Sequence, residues 1–334
     1  DGARLGPLAT LFVYGLIARH ERPARRARVA APAVLREPTE RAVPVVLVQC
    51  ESFFDARRLA PQRFAGLVPG FAACCAEHAV FGRFEVSGWG ANTMRAEFAA
   101  LTGITDGDLG YDRFNPYHAF ARVPIASLAW QLRAYGYRTI CLHPFDRWFY
   151  RRDLALPSLG FDRFLGRESL GGARRPPYCP DPELARHVLR ALDAEGSRVF
   201  VFAITMGNHG PWSGPGPAPD PGLSRLFDPG GVPQGGELLH YLDGLARSDE
   251  MLQILVRGFK ERGCDGILGF YGDHLPSLPH AFGHFGFDDW ASDYVLWQNG
   301  EAPSRRLDLP AHRLPALILD TLRTHQTAAA GALG

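Results

Sequence analysis

A chain of 334 residues with 46% hydrophobic and 21% charged residues carries enough apolar side chain to bury a large core. A formal net charge of +1 and 11% aromatic residues without interleaved basic runs exclude the field and the stacking platform of a nucleic-acid binder. Six cysteines in neither C-x-x-C pairs nor zinc-ribbon spacing give no disulfide or zinc framework, with a single bridge, such as one joining Cys141 and Cys179, left open.

The first element is the apolar run from Leu5 to Ala18, shorter than the ~20 residues that span a bilayer. The basic stretch His20, Arg22, Arg25, Arg26 and Arg28 follows it and suits lipid headgroups. Residues 1–42 are read as a juxtamembrane helix and linker, with a helix packed on the domain as the equal alternative. The start at Asp1, without an initiator methionine, reads as a fragment or processed form. Residues 43–326 are the expected folded domain, and the Ala/Gly-rich residues 327–334 an expected disordered tail.

Within the domain, Pro44 to Gln49 is an apolar run typical of a buried parallel strand. Further strand-like runs are Ala79 to Glu85, Arg138 to Leu142, Val199 to Thr205, Gly266 to Tyr271 and Tyr294 to Gln298. Helical patterns lie between them at Thr93 to Leu101, Ile125 to Tyr135, Pro182 to Ala194 and Leu238 to Arg262. Such alternation predicts an α/β fold with a mostly parallel central sheet flanked by helices on both faces, and ligand sites at the carboxyl ends of its strands. The Gly/Pro-dense stretch Gly207 to Gly236 reads as a lid or substrate loop over that edge.

Directly past the strands stand Glu51, His143, His209, and Asp273 with His274. Two carboxylates and an imidazole converging there would make a divalent-metal site from Glu51, Asp273 and His274. Thr93 opens the helical stripe Met94, Phe98 and Leu101, where free N–H groups and the helix dipole favour a phosphate or an alkoxide. A plain N-cap is the competing use of Thr93. As a nucleophile it would gain from coordination, which lowers the hydroxyl pKa. Arg95 and Glu97 in the next turn would either orient substrate or sit on a solvated face.

Taken together, these residues resemble the lipoteichoic acid synthase and phosphoglycerol transferase branch of the alkaline phosphatase and sulfatase superfamily. The resemblance covers most of the chain and makes residues 43–326 a sulfatase-like catalytic domain. It implies that Glu51 in QCESF, Thr93 in ANTMRAEFAALTG, and Asp273 and His274 in YGDH hold one divalent metal, manganese before magnesium or zinc. It further implies that His143, Tyr150 and Arg152 in HPFDRWFYRRD, with Trp148 as rival to Tyr150, and His209 in NHGPW surround the phosphoglycerol group. His143 or His209 would then carry protons to the leaving oxygen or from the acceptor. The Cys-x-Pro-x-Arg signature of sulfatases is absent, which disfavours sulfate-ester hydrolysis. His280 and His284 in PHAFGHFG would furnish a second metal site, which the single-metal branch that the chain resembles lacks.

The implied reaction moves phosphoglycerol from phosphatidylglycerol through Thr93 to a glycan acceptor, at a membrane surface on the periplasmic side of a bacterial inner membrane. Phosphoethanolamine transfer and phosphodiester hydrolysis are the enzymatic alternatives, and an inactive membrane-tethered binding module is the non-enzymatic one.

Overall fold

The computed structural model describes residues 2–29, 42–170, 178–213, 218–300 and 303–331. Nine strands form one sheet: β1 (Val45–Cys50), β2 (Ala79–Glu85), β3 (Arg138–Leu142), β4 (Arg163–Leu165), β5 (Val199–Ile204), β6 (Ile267–Gly272), β7 (Ser292–Gln298), β8 (Arg305–Arg306) and β9 (Leu309–Pro310). The strand order is β4-β3-β5-β1-β6-β7-β2-β8, with β9 also on β2. From β4 to β6 every pairing is parallel, and β7 alone runs against its neighbours β6 and β2.

The central strands are mostly apolar because both faces of the sheet are covered. Side chains alternate across a strand. Val46, Val48 and Cys50 of β1 therefore enter one buried cluster with Leu184, Leu242 and Leu252, while Val45 and Leu47 enter another with Phe98, Leu128 and Ile318. The first cluster is closed by the helices Pro69–Ala76, Asp181–Glu195 and Gly235–Glu261, the second by Thr93–Thr102, Leu128–Ala134 and Leu314–Gly331. All six predicted strand runs are strands, and the short edge strands β4, β8 and β9 carry no apolar run that marks them.

The N-terminal helix Gly2–Val29 is neither wholly free nor wholly packed. Its second half docks through the buried Arg25, whose guanidinium lies 3.2 Å from Asp112, and through Arg26, which donates to the Ala119 carbonyl at 2.7 Å. Its first half leaves Leu8, Leu11 and Phe12 exposed. No described helix is long and apolar enough to cross a membrane, and residues 30–41 of the expected linker lie outside the described residues.

One expectation changes in part. The last helix runs to Gly331, so residues 327–331 of the tail expected as disordered continue a helix, and residues 332–334 lie outside the described residues. Its alanines are the strongest helix formers. The Gly/Pro-dense stretch Gly207 to Gly236, read as a lid or substrate loop, contains a short helix, Pro221–Leu226, with residues 214–217 outside the described residues. All six cysteines are free.

Candidate functional site

Because β1, β5, β6 and β3 run parallel, their carboxyl ends share one edge, and Cys50 lies in register with Gly272. Glu51 and the pair Asp273–His274 are therefore brought together by two adjacent strands. The approach is tight: a Cβ on Gly272 would sit 1.8 Å from the Phe53 carbonyl oxygen, so only glycine fits at that strand end. The Ser52 backbone, at φ 56°, turns its N–H onto Asp273 Oδ1 at 2.8 Å. The Glu51 N–H donates to Thr205 Oγ1 at 2.9 Å, and the Ser52 hydroxyl donates to Glu51 at 3.0 Å.

One ligand atom each from Glu51, Asp273 and His274 falls within 4.8 Å of the others, and all three residues are buried. His274 Nδ1 lies 3.0 Å from the Leu275 carbonyl, which assigns its proton to Nδ1 and turns the Nε2 lone pair inward. That Nε2 is 3.5 Å from Glu51, 3.4 Å from Asp273 Oδ2 and 3.2 Å from Thr93 Oγ1. Asp273 Oδ2 is buried without a hydrogen-bond partner. Burial, and next the Asp273 carboxylate, push the Glu51 carboxyl well above the usual range. An orphaned oxygen and an unneutralised carboxylate pair beside an imidazole lone pair fit a divalent cation bound through oxygen and nitrogen.

Thr93 is the first residue of its helix, not its cap. The cap is Asn92, in the left-handed region at φ 75° and without a side-chain hydrogen bond to the helix. The Thr93 hydroxyl is thus free of the capping use weighed for it and faces His274. Gly103, at φ 73°, closes the helix by donating to the Ala99 carbonyl.

A cavity of about 410 Å³ opens over this cluster, lined by Glu51, Thr93, Tyr150, His209, Trp212, Glu237 and His274 among others. His209 is exposed, with Nδ1 2.5 Å from the Gly210 carbonyl, and its Nε2 has no partner among the described residues. Tyr150 lines the cavity from a left-handed backbone turn, φ 55° there and 57° at Arg151.

The remaining candidates lie outside the cavity lining. Trp148 is 69% exposed and takes no part in the lining, because the left-handed turn at Tyr150 and Arg151 brings Tyr150 to the cavity instead. His143 and Arg152 lie behind the wall: His143 is 0% and Arg152 1% exposed, and neither lines the cavity. Both His143 nitrogens are engaged, Nδ1 with the Ile204 carbonyl at 3.3 Å and Nε2 with Arg152 Nη1 at 3.1 Å. Burial, then the Arg152 charge, hold the ring well below its usual range and so neutral. Glu97 is fully buried, not on a solvated face. His280 and His284 are exposed and stand apart from the buried trio.

Fold and site define a sulfatase-like protein with a candidate divalent-metal centre at the carboxyl edge of its sheet. The family model described as Sulfatase matches residues 45–324, and the chain belongs to that family. It is 29% identical over 289 residues to a Rhizobium meliloti protein named for cyclic beta-1,2-glucan modification, covering 80% of this chain and 44% of that one. The chain spans less than half the length of the curated relatives it matches. Among solved structures it is similar to the lipoteichoic acid synthase LtaP of Listeria monocytogenes (TM-score 0.66, 20% identity, 84% of this chain and 72% of that one). It is also similar to the Streptococcus pyogenes phosphoglycerol transferase GacH in complex with sn-glycerol-1-phosphate (TM-score 0.64, 18% identity, 91% and 79%).

Proposed function

We propose that residues 43–326 are the catalytic domain of a metal-dependent phosphoglycerol transferase that moves the headgroup of phosphatidylglycerol to a glycan acceptor through Thr93. The observation that carries this reading is the Thr93 hydroxyl, 3.2 Å from His274 Nε2 at the rim of a buried trio that has an oxygen to spare. Glu51, Asp273 and His274, with Thr93, would hold the cation, manganese in this reading. When bound, it would supply positive charge that favours the ionised Thr93 hydroxyl and offsets charge on the phosphoryl oxygens.

The chain's own groups do the rest. Thr93 Oγ1 forms a bond to phosphorus while the bond from phosphorus to the diacylglycerol oxygen breaks, leaving phosphoglyceryl-Thr93. The proton released from Thr93 ends on the diacylglycerol oxygen, and the open Nε2 of His209 is placed at the cavity to carry it. An acceptor hydroxyl then gives its proton to His209 and bonds to the phosphorus while the bond from phosphorus to Thr93 Oγ1 breaks, and His209 returns that proton to Thr93 Oγ1. His143, with no open nitrogen, orients the wall and carries no proton. Covalent transfer suits a lipid donor and a bulky sugar acceptor, which need not be bound together.

The phosphoglycerol transfer of one structural neighbour and the glucan modification for which a relative is named support a phosphoglycerol donor and a glycan acceptor. The exposed apolar half of the N-terminal helix, followed by arginines, supports work at a membrane surface, the periplasmic face of an inner membrane in this reading. Phosphoethanolamine transfer is the second reading. Glu237 favours it, a cavity carboxylate without a partner among the described residues that would meet an ammonium group. Incubation with manganese and each lipid, followed by peptide mass spectrometry, separates the two. A phosphoglycerol adduct on Thr93, absent from Thr93→Ala, is the expected result. An adduct from phosphatidylethanolamine alone moves the assignment to the second reading, and diester turnover without an adduct points to a hydrolase. Failure to bind metal or turn over either lipid leaves the inactive binding module.

A further inference from the structure

Behind the cavity wall lies a second buried polar assembly that the steps above leave unused. Its hub is Glu97, whose two oxygens accept four hydrogen bonds. Oε1 takes Arg152 Nε at 3.1 Å and the Tyr117 hydroxyl at 2.5 Å, and Oε2 takes Arg152 Nη2 at 2.6 Å and Gln49 Nε2 at 2.9 Å. The Tyr271 hydroxyl fixes Gln49 in turn at 2.7 Å. The remaining arm of Arg152 donates to His143 Nε2, which leaves the imidazole proton on Nδ1 facing the Ile204 carbonyl. The same guanidinium lies 5.2 Å from the centre of the Tyr150 ring, the ring that forms the cavity wall.

Glu97 also stands four residues after Thr93 on one helix, so the two side chains lie on the same face one turn apart. We propose that Glu97 is the positioning residue of this site: its carboxylate fixes Arg152, and through Arg152 the His143 tautomer and the Tyr150 wall, in register with the Thr93 hydroxyl. A two-point carboxylate–guanidinium fork sets orientation as well as distance, which a lysine or a glutamine at these places would not reproduce. Stability alone does not call for such a pair, because well-packed apolar residues of similar volume serve a core as well or better. The fork joins the helix that carries Thr93 to a segment 55 residues away that carries the opposite wall.

The inference rests on the transferase reading for its kinetic effect, but not for its geometric one. The test therefore pairs two readouts on Glu97→Gln, Glu97→Asp, Arg152→Met and the Glu97→Gln/Arg152→Met double variant. The first is the side-chain ¹⁵N spectrum of His143, assigned with His143→Gln. The second is kcat and KM for phosphatidylglycerol, alongside manganese affinity. Wild type is expected to show one neutral tautomer protonated on Nδ1, and Glu97→Gln a mixture of tautomers. Its kcat/KM should fall on the order of 10²-fold, the cost of a misplaced wall, with metal affinity changed less than about twofold. Glu97→Asp, which keeps the charge at shorter reach, should recover part of the loss and provides the reading if Glu97→Gln does not fold. Because Glu97 acts through Arg152, Glu97→Gln should cost less than about threefold more when Arg152→Met is already present. Losses that multiply in the double variant, or a folded Glu97→Gln with the wild-type tautomer and kcat/KM within about threefold, would overturn the proposal. A wild type that turns over no lipid while the tautomer still collapses in Glu97→Gln sinks the transferase reading and leaves the positioning role standing.

Discussion

The cavity has two sides built on opposite principles. On one, Glu51, Asp273, His274 and Thr93 crowd together with a carboxylate oxygen left unpaired. On the other, every Glu97 oxygen is saturated and both His143 nitrogens are engaged. Both sides are buried and charged, so burial and charge do not tell chemistry from scaffolding. Satisfaction does: a saturated network holds its shape, whereas unmet polar capacity is a place prepared for something else.

The comparison breaks most sharply at Thr93. Thr93→Ala should lower transfer by at least about 10³-fold, while urea unfolding shifts by less than about 1 kcal/mol, since that side chain makes one hydrogen bond and is only partly buried. Asp273→Asn should abolish manganese binding by calorimetry, yet stabilise the metal-free protein by about 1–3 kcal/mol, because the orphaned oxygen becomes a donor facing Glu51 and His274. A loss of stability there would mean that the ligand side is as self-sufficient as the other. Across the cavity the signs reverse. Arg152→Met should cost about 3–5 kcal/mol in the same unfolding assay, since it strands the buried Glu97 charge.

A smaller effect sits under the His209 loop. The buried Asp181 accepts from Ser248 at 2.6 Å and from the Gly207 N–H at 3.1 Å, and burial pushes its carboxyl up to about 6, against those two hydrogen bonds. A carboxyl raised above its unfolded value of 3.8 binds its proton more tightly when folded, so it withdraws stability as pH climbs from about 4 through 6. About two units correspond to about 3 kcal/mol. Asp181→Asn should remove about 2 kcal/mol of the decline in urea unfolding between pH 4.5 and pH 8, the part of that total that falls in this window. Smallest of all, Trp148→Ala should change stability by less than about 0.5 kcal/mol and transfer by less than about twofold, as its exposure implies.

What was legible in the sequence follows from the same contrast. The strands β1, β3, β5 and β6 are read directly because a strand covered on both faces is mostly apolar, and the ionisable residue that follows such a run is conspicuous. Glu51, His143 and Asp273 were found that way. Glu97, the hub of the saturated side, left no such mark. Glu97 sits in a helical turn between Arg95 and Phe98, and a buried carboxylate there reads like a surface one until its partner, 55 residues on, is in place. The choice of Tyr150 over Trp148 depended on two consecutive left-handed residues, neither of them glycine, which no spacing rule announces. The edge strands are two or three residues long and paired on few atoms, too short for a periodic signal.

The place of the ligand strands in the sheet has one more consequence. β1 and β6 are adjacent at the middle of the sheet, with β5 and β7 outside them and the short strands β4 and β8 at the rims. Spontaneous opening begins where pairings are few and works inward, so amide protons at the rims should trade with deuterium first and those of Val46, Val48 and Leu268 last. The candidate metal cluster rides on the part of the molecule expected to breathe least. Its loops can wear, drift or be rebuilt while the spacing between Glu51 and Asp273 is kept by the slowest clock in the fold.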